Sequence, residues 1–424
     1  MTAATVGYAG MGHLGLTSSG AAAEMGFEVV CFDADPHIIS LLQSSKSPIA
    51  EPGLQDLLSR NSSRLRFTTA IDDLRSCDVV FVVADVTTDN EDNSDLSAVR
   101  TLIASVGNVL KSNGCLVIQS QVPPGFCRAL GSNHQNTFYQ VETLIVGRAL
   151  EQAMRPERII VGSADAAVPL PKSYLQFLDC YQCPIILMSY ESAELTKLAI
   201  NLFLASSITT TNMLAEICEK IGADWQDIAS ALRLDRRIGK YAYLTAGLGL
   251  GGGNIERDLA SIIAVGEPFG LDASLVHAWR TNSHHRRDWV LQLLKSAALS
   301  PSHGPLALLG LAYKENTCST KNSPAIKLLS TLSSFEINVF DPVVTPREHW
   351  HPRLRRAENA LEACNGASAL IVMTPWPEFK KLSVSDIASR LKGNLVLDPF
   401  GCLDHNACLR ANLTHHRLGT SLHS

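Results

Sequence analysis

The sequence predicts an α/β protein in which two doubly wound parallel sheets are joined by a long central helix. Three observations lead there. Short apolar runs alternate with amphipathic stretches at both ends of the chain. A glycine-rich turn follows the first of those runs. Between the two ends, residues 191–221 contain neither glycine nor proline.

In chain order, Thr5–Tyr8 and Val29–Phe32 read as strands around a helix. Asp78–Val83 and Cys115–Ile118 are further β-rich runs, and Glu157–Gly162 and Pro184–Met188 add late strands. Then the period changes. Leu195, Leu198, Leu202 and Ala205 recur at helical spacing, so Glu191–Ile221 reads as one helix, with a shorter one around Trp225–Leu232. A break at Pro301–Pro305 precedes a second α/β stretch, with strands at Leu306–Leu309, Glu336–Phe340, Ala369–Met373 and Leu395–Leu397. The expected domains are residues 1–190, 191–300 and 301–424.

Composition excludes several classes of function. A chain of 424 residues exceeds a single core, and 46% hydrophobic with 18% charged residues is a globular balance. A net charge of −5 without a basic stretch argues against nucleic acid as a partner. No apolar run reaches the ~18 residues that span a bilayer, so no membrane partner is expected. Residues 1–6 have no basic or long apolar leader. Eleven scattered cysteines read as reduced thiols of a cytoplasmic protein. Cys180 and Cys183 form a lone CxxC, read as packing, and no metal site is expected. His284 and His285 sit among arginines and read as a solvated helix face.

The glycine turn carries the first chemistry. Gly10-Met11-Gly12-His13-Leu14-Gly15 follows a strand and opens a helix. Such glycines let backbone N–H groups approach a pyrophosphate at the positive end of the helix. Asp33 ends the next strand, where a carboxylate accepts from ribose hydroxyls and repels a 2′-phosphate. The pattern is Rossmann-like and selects NAD over NADP.

Further motifs resemble one family in order. Lys46–Leu54 with its EPGL core, Ser120-Gln-Val-Pro-Pro-Gly125, Pro156–Gly162, Lys197-Leu-Ala-Ile-Asn201, Asp235-Arg-Arg-Ile-Gly239, Gly249–Asp258, and Leu309–Lys314 with Ser323-Pro324 are similar to segments of the UDP-glucose/GDP-mannose dehydrogenases. The resemblance implies two Rossmann-like domains joined by a long helix that also forms a homodimer or larger assembly. It places NAD on the first domain, the nucleotide of a sugar substrate (UDP-hexose foremost) on the last, and the chemistry in the cleft between. It implies that Ser120 and Lys321 join the glycine turn in holding NAD. Arg237, Gly251, Gly252 and Lys314 would contact the nucleotide sugar.

Lys197 and Asn201, four residues apart, share one helix face, and an ammonium with an amide suits a developing alkoxide. Asp258 is expected to hold a water near that lysine as proton acceptor. Glu142 stands where the family has a catalytic glutamate, in a poorly matched stretch.

The chain departs from the family at Asn254, where the resemblance implies a cysteine that traps an aldehyde for a second oxidation. An amide is not a nucleophile. Gly253, Ile255 and Glu256 differ as well. Three readings stay open. The enzyme stops after two electrons or oxidises transiently and epimerises. It oxidises a hydrated aldehyde without a covalent step. Or it is a silent nucleotide-sugar binder.

Overall fold

The apolar runs at the start of the chain pair into one sheet. In the computed structural model, residues 4–89, 94–131 and 136–421 are described; Met1–Ala3 of the leader reading lie outside them. Eight strands, β1 (Val6–Ala9), β2 (Val29–Phe32), β3 (Leu65–Thr68), β4 (Val79–Val82), β5 (Cys115–Ile118), β6 (Thr137–Gln140), β7 (Ile159–Ser163) and β8 (Ile185–Ser189), lie in the order β8-β7-β6-β5-β4-β1-β2-β3. Val6 pairs with Val29 on one side and Val79 on the other, both in parallel. The expected parallel sheet has one exception: β6 and β7 run antiparallel.

β1, β2, β4 and β5 are buried along their whole length. That is why they read as unbroken apolar runs, since helices cover both faces of a central parallel strand. One face packs Tyr8, Phe81, Phe138 and Phe177, with Tyr8 stacked on Phe81 at 4.9 Å. The other packs Val80, Val82, Ile118 and Tyr139. Each such side chain contributes roughly 1.5–3 kcal/mol by leaving water.

A second sheet has the order β11-β10-β9-β12-β13-β14, all parallel, from β9 (Leu306–Leu309), β10 (Ile337–Phe340), β11 (Leu354–Arg356), β12 (Ala369–Val372), β13 (Leu395–Leu397) and β14 (Thr414–His416). In both sheets the order reverses once, at β1/β4 and at β9/β12. Ligands of open parallel sheets bind at such reversals, beyond the carboxyl ends of the strands.

The chain forms two compact units, Met1–Ile200 with Ala260–Phe269, and Asn201–Leu259 with Gly270–Ser424. The helix expected over Glu191–Ile221 spans Tyr190–Ile221 (α2, after α1 at His13–Glu24), and its first part belongs to the first unit. By length and composition alone α2 is apolar enough to cross a membrane. Here its Glu194 accepts from Gly125 N (2.6 Å) and Cys127 N (2.8 Å), and its Glu219 pairs with Arg286. Those are the contacts of a helix packed in protein.

Candidate functional site

The glycine turn leaves β1 at its carboxyl end. Gly10 has φ +105°, which a side chain resists. A Cβ on Gly15 would sit 1.9 Å from Gly10 O, and one on Gly12 2.0 Å from Asp85 Oδ2. The backbone contact at position 15 therefore excludes a side chain there, whereas a side chain at position 12 would have to displace the Asp85 carboxylate. Gly12 is the N-cap of α1 and no side chain caps it, so the backbone N–H groups of His13 and Leu14 face the turn. Asp33 Oδ2 accepts from Met11 N at 2.6 Å, and Oδ1 from Asp35 N at 2.9 Å. The acidic residue is thus fixed at the mouth of the turn. This cradle, bare of Cβ atoms and backed by a helix N-terminus, fits a dinucleotide. Ser120 is buried, with Oγ donating to Ala84 O at 2.7 Å. It ties the loop after β5 to the loop after β4, so its hydroxyl supports the site's floor.

Lys197 lies on α2 with a side chain 12% exposed. Its Nζ donates to Glu142 O at 2.6 Å and stands 3.8 Å from Glu142 Oε2. The structure thus brings Lys197 to Glu142 across 55 residues. A cavity of about 50 Å³ reaches Glu142, lined also by Gln119, Gln140 and Arg158. That is room for a few ordered waters.

One helical turn beyond Lys197, the second unit begins. Asn201 Nδ2 donates to Asp258 Oδ2, and both residues are buried. Asp258 Oδ1 lies 3.5 Å from Arg257 Nε. Arg257 Nη2 in turn donates to Asn254 Oδ1 at 3.4 Å. Asp258, expected to hold a water, therefore has both oxygens facing protein donors, which suits a carboxylate that orients its neighbours. Asn254 is the first residue of α3 (Asn254–Gly266) and is exposed. With its oxygen on Arg257, its NH₂ is the outward end.

Around this turn the loop after β9 closes in. The ring of Tyr313 packs on Gly252, where φ is +81° and a Cβ would meet Cε2 at 2.8 Å. Lys321 Cγ lies 3.3 Å from the Cβ position of Gly253, and Asn322 Nδ2 donates to Glu256. Gly251 lies against the same Tyr313. Lys314 Nζ is 5.6 Å from the Tyr313 ring centre. Arg237 stands apart: its side chain is 89% exposed and forks onto Asp235. Sequence reasoning missed Tyr313, Arg257, Asp85 and Glu51. Each sits within or beside a recognised motif, but nothing local marks what its side chain meets. All eleven cysteines are free thiols, Cys180 and Cys183 included.

Residues 4–172, 191–284 and 307–405 match, respectively, the NAD binding, central and UDP binding domains of the UDP-glucose/GDP-mannose dehydrogenase family. The chain is 31% identical to a UDP-glucose 6-dehydrogenase of Rhizobium meliloti, over 92% of this chain and 93% of the relative. It is 28% identical to the UDP-glucose 6-dehydrogenase TuaD of Bacillus subtilis, over 97% and 92%. The structure of a UDP-glucose dehydrogenase from Pyrobaculum islandicum is similar at a TM-score of 0.82 and 26% identity, covering 94% of each chain.

Proposed function

This chain belongs to the UDP-glucose/GDP-mannose dehydrogenase family, and from that premise we propose that it performs a single two-electron oxidation, or a transient one ending in epimerisation, on a UDP-hexose. It is an oxidoreductase of CH–OH donors with NAD as cofactor and a nucleotide sugar as substrate. The observation that carries the finer reading is Asn254, an amide held by Arg257 at the position where the family resemblance implies a thiol.

NAD supplies the hydride acceptor. The glycine turn and the α1 N-terminus hold its pyrophosphate, and Asp33 its adenosine ribose. Lys197 stabilises the alkoxide as charge develops on the substrate oxygen. Asn201, fixed by Asp258, adds a second donor one helical turn along. Glu142 beside Lys197 is placed to take or return a proton. Asn254 directs N–H toward a carbonyl oxygen and forms no covalent adduct. Lys314, Gly251 and Gly252 serve the nucleotide sugar, and Lys321 the cofactor as a point charge. One rival reading is four-electron oxidation to a uronic acid through the aldehyde hydrate, without a covalent step. The test is a panel of nucleotide sugars incubated with NAD, following NADH and identifying products by mass. No turnover of any UDP- or GDP-sugar would leave a silent binder and sink the proposal.

Cofactor choice gives a second expectation. NAD should bind much more tightly than NADP, and Asp33→Ala should weaken NAD about tenfold or more while relaxing the discrimination. Titration calorimetry showing equal or tighter NADP binding by the unaltered protein would remove Asp33 from this role.

Assembly gives a third. Phe203, Met213, Ile217 and Ile221 are exposed on α2 at 80%, 48%, 46% and 71%. At 100° per residue they fall within roughly 80° of the helix circumference. Such a stripe is an unburied face. A homodimer or larger homo-oligomer buries it, with Arg237, exposed and forked onto Asp235, reaching toward a neighbouring copy. Light scattering at micromolar concentration should give at least twice the chain mass of 45.8 kDa. A monomer contradicts it.

A further inference from the structure

The turn that leaves β9 repeats the glycine turn that leaves β1. Gly10 N donates to Phe32 O and Gly310 N to Phe340 O, each at 2.8 Å. Both glycines have positive φ, +105° and +96°. Met11 N donates to Asp33 Oδ2 and Leu311 N to Asp341 Oδ2, each at 2.6 Å. Asp35 N and Val343 N donate to the other oxygen of those carboxylates, each at 2.9 Å. Asp341 thus ends β10 as Asp33 ends β2.

From there the two turns part. Asp33 meets these two backbone donors, so a carboxylate with about four lone-pair sites keeps room for a ligand hydroxyl. Asp341 also accepts from Ala312 N at 3.1 Å, Trp376 Nε1 at 3.1 Å and Val344 N at 2.7 Å, and it is buried. That saturates it, so it is an anchor rather than a ligand group. After the first turn a helix starts at His13, whereas after the second the next helix among the described residues starts at Pro324. The second turn therefore offers no helix N-terminus to an anion, and its amides at 311 and 312 are held by Asp341. The carbonyls are fixed as well. Ala312 O accepts from Thr374 Oγ1 at 2.6 Å and Leu311 O from Ser323 Oγ at 2.7 Å. Tyr313, whose ring packs on Gly252, and Lys314 follow directly. At this reversal of the sheet order, recognition of an anion falls to side chains carried by a fixed turn.

We propose that Asp341, oriented by Trp376, is a positioning residue for the nucleotide of the substrate. This rests on the reading that a nucleotide sugar binds this domain at Lys314. Asp341 touches no substrate itself. It holds Leu311 and Ala312, and so sets where Tyr313 and Lys314 leave the turn.

The test is binding by calorimetry, with UDP as the probe of this turn and ADP-ribose as the probe of the first. Asp341→Asn should weaken UDP about tenfold, the scale of a hydrogen bond to a charged group, and leave ADP-ribose within about twofold. In a Lys314→Ala background the same change should add about twofold or less, because both act on one contact. An Asp341 that merely staples the fold would lower the melting temperature and leave the UDP affinity of the folded protein unchanged, or would add its full loss whatever stands at 314. Either result overturns the proposal. If Asp341→Asn does not fold, Trp376→Phe decides. It removes one donor, keeps an aromatic ring, and should weaken UDP about threefold with ADP-ribose unchanged. No effect on UDP, or an equal loss on both probes, overturns the proposal while the nucleotide site stands. Failure of the unaltered protein to bind UDP overturns the nucleotide-sugar reading itself.

Discussion

Lys197→Ala should lower turnover by about 10²-fold or more, the scale of lost electrostatic or general-base help. Substrate binding should change far less, because an alkoxide exists only as the reaction proceeds. The geometry sets the control. Lys197 Nζ also donates to Glu142 O, so its removal leaves a carbonyl and a nearby carboxylate without that partner. Lys197→Met, which keeps the aliphatic stem, should show the same kinetic loss with a melting temperature closer to that of the parent. Glu142→Gln keeps the shape and removes the proton acceptor. It should lower kcat too. A Lys197 variant with normal kcat would move the chemistry elsewhere.

NADH yield per sugar consumed should be about one, or none net for an epimerase. The second oxidation in a thiol mechanism proceeds through a tetrahedral adduct, which Asn254 cannot form. The other thiols do not replace it. Cys127, in the short helix Phe126–Ala129 whose start Glu194 anchors, is buried, and burial together with the Glu194 carboxylate pushes its pKa far above the usual thiol range. Such a group stays protonated and inert. Cys218 is on α2, seventeen residues beyond Asn201, or about 25 Å along the helix. Cys318 is exposed on the loop that leads to Lys321, and Cys318→Ser should leave the yield unchanged. Asn254→Cys alone should not restore a second NADH, because Gly253, Ile255 and Glu256 shape the turn that must aim the sulfur. The measurement is NADH against substrate consumed, with hydroxylamine trapping and mass analysis of the product. Two NADH and a uronic acid would establish the hydrate route instead.

Much of this protein could be read from local pattern. Strand runs in the middle of a parallel sheet are buried on both faces, so β1, β2, β4 and β5 announce themselves as apolar runs. The long helix follows from 31 residues without a breaker, and it starts within one residue of the expected position. The strands at Leu65–Thr68, Thr137–Gln140, Leu354–Arg356 and Thr414–His416 were not legible. They carry polar residues and take their place from neighbouring strands rather than from composition. Gln140, for one, is tolerated in the sheet because Tyr174 donates to it at 2.8 Å.

For the site the division is equally physical. Sequence alone determined the glycine turn, Asp33 at the end of the next strand, the helical phase that sets Lys197 and Asn201 one turn apart, and the absence of a thiol at 254. Each is a matter of residue type and short spacing, which the backbone's own periods translate into place. Tertiary structure decided which side chains meet. Lys197 reaches Glu142 across 55 residues, Asn201 reaches Asp258 across 57, and Glu51 joins His13 to Ala149 across 38 and 98. No local period links such pairs. They come together through tertiary packing, where a buried carboxylate must find donors and accepts those that the fold supplies.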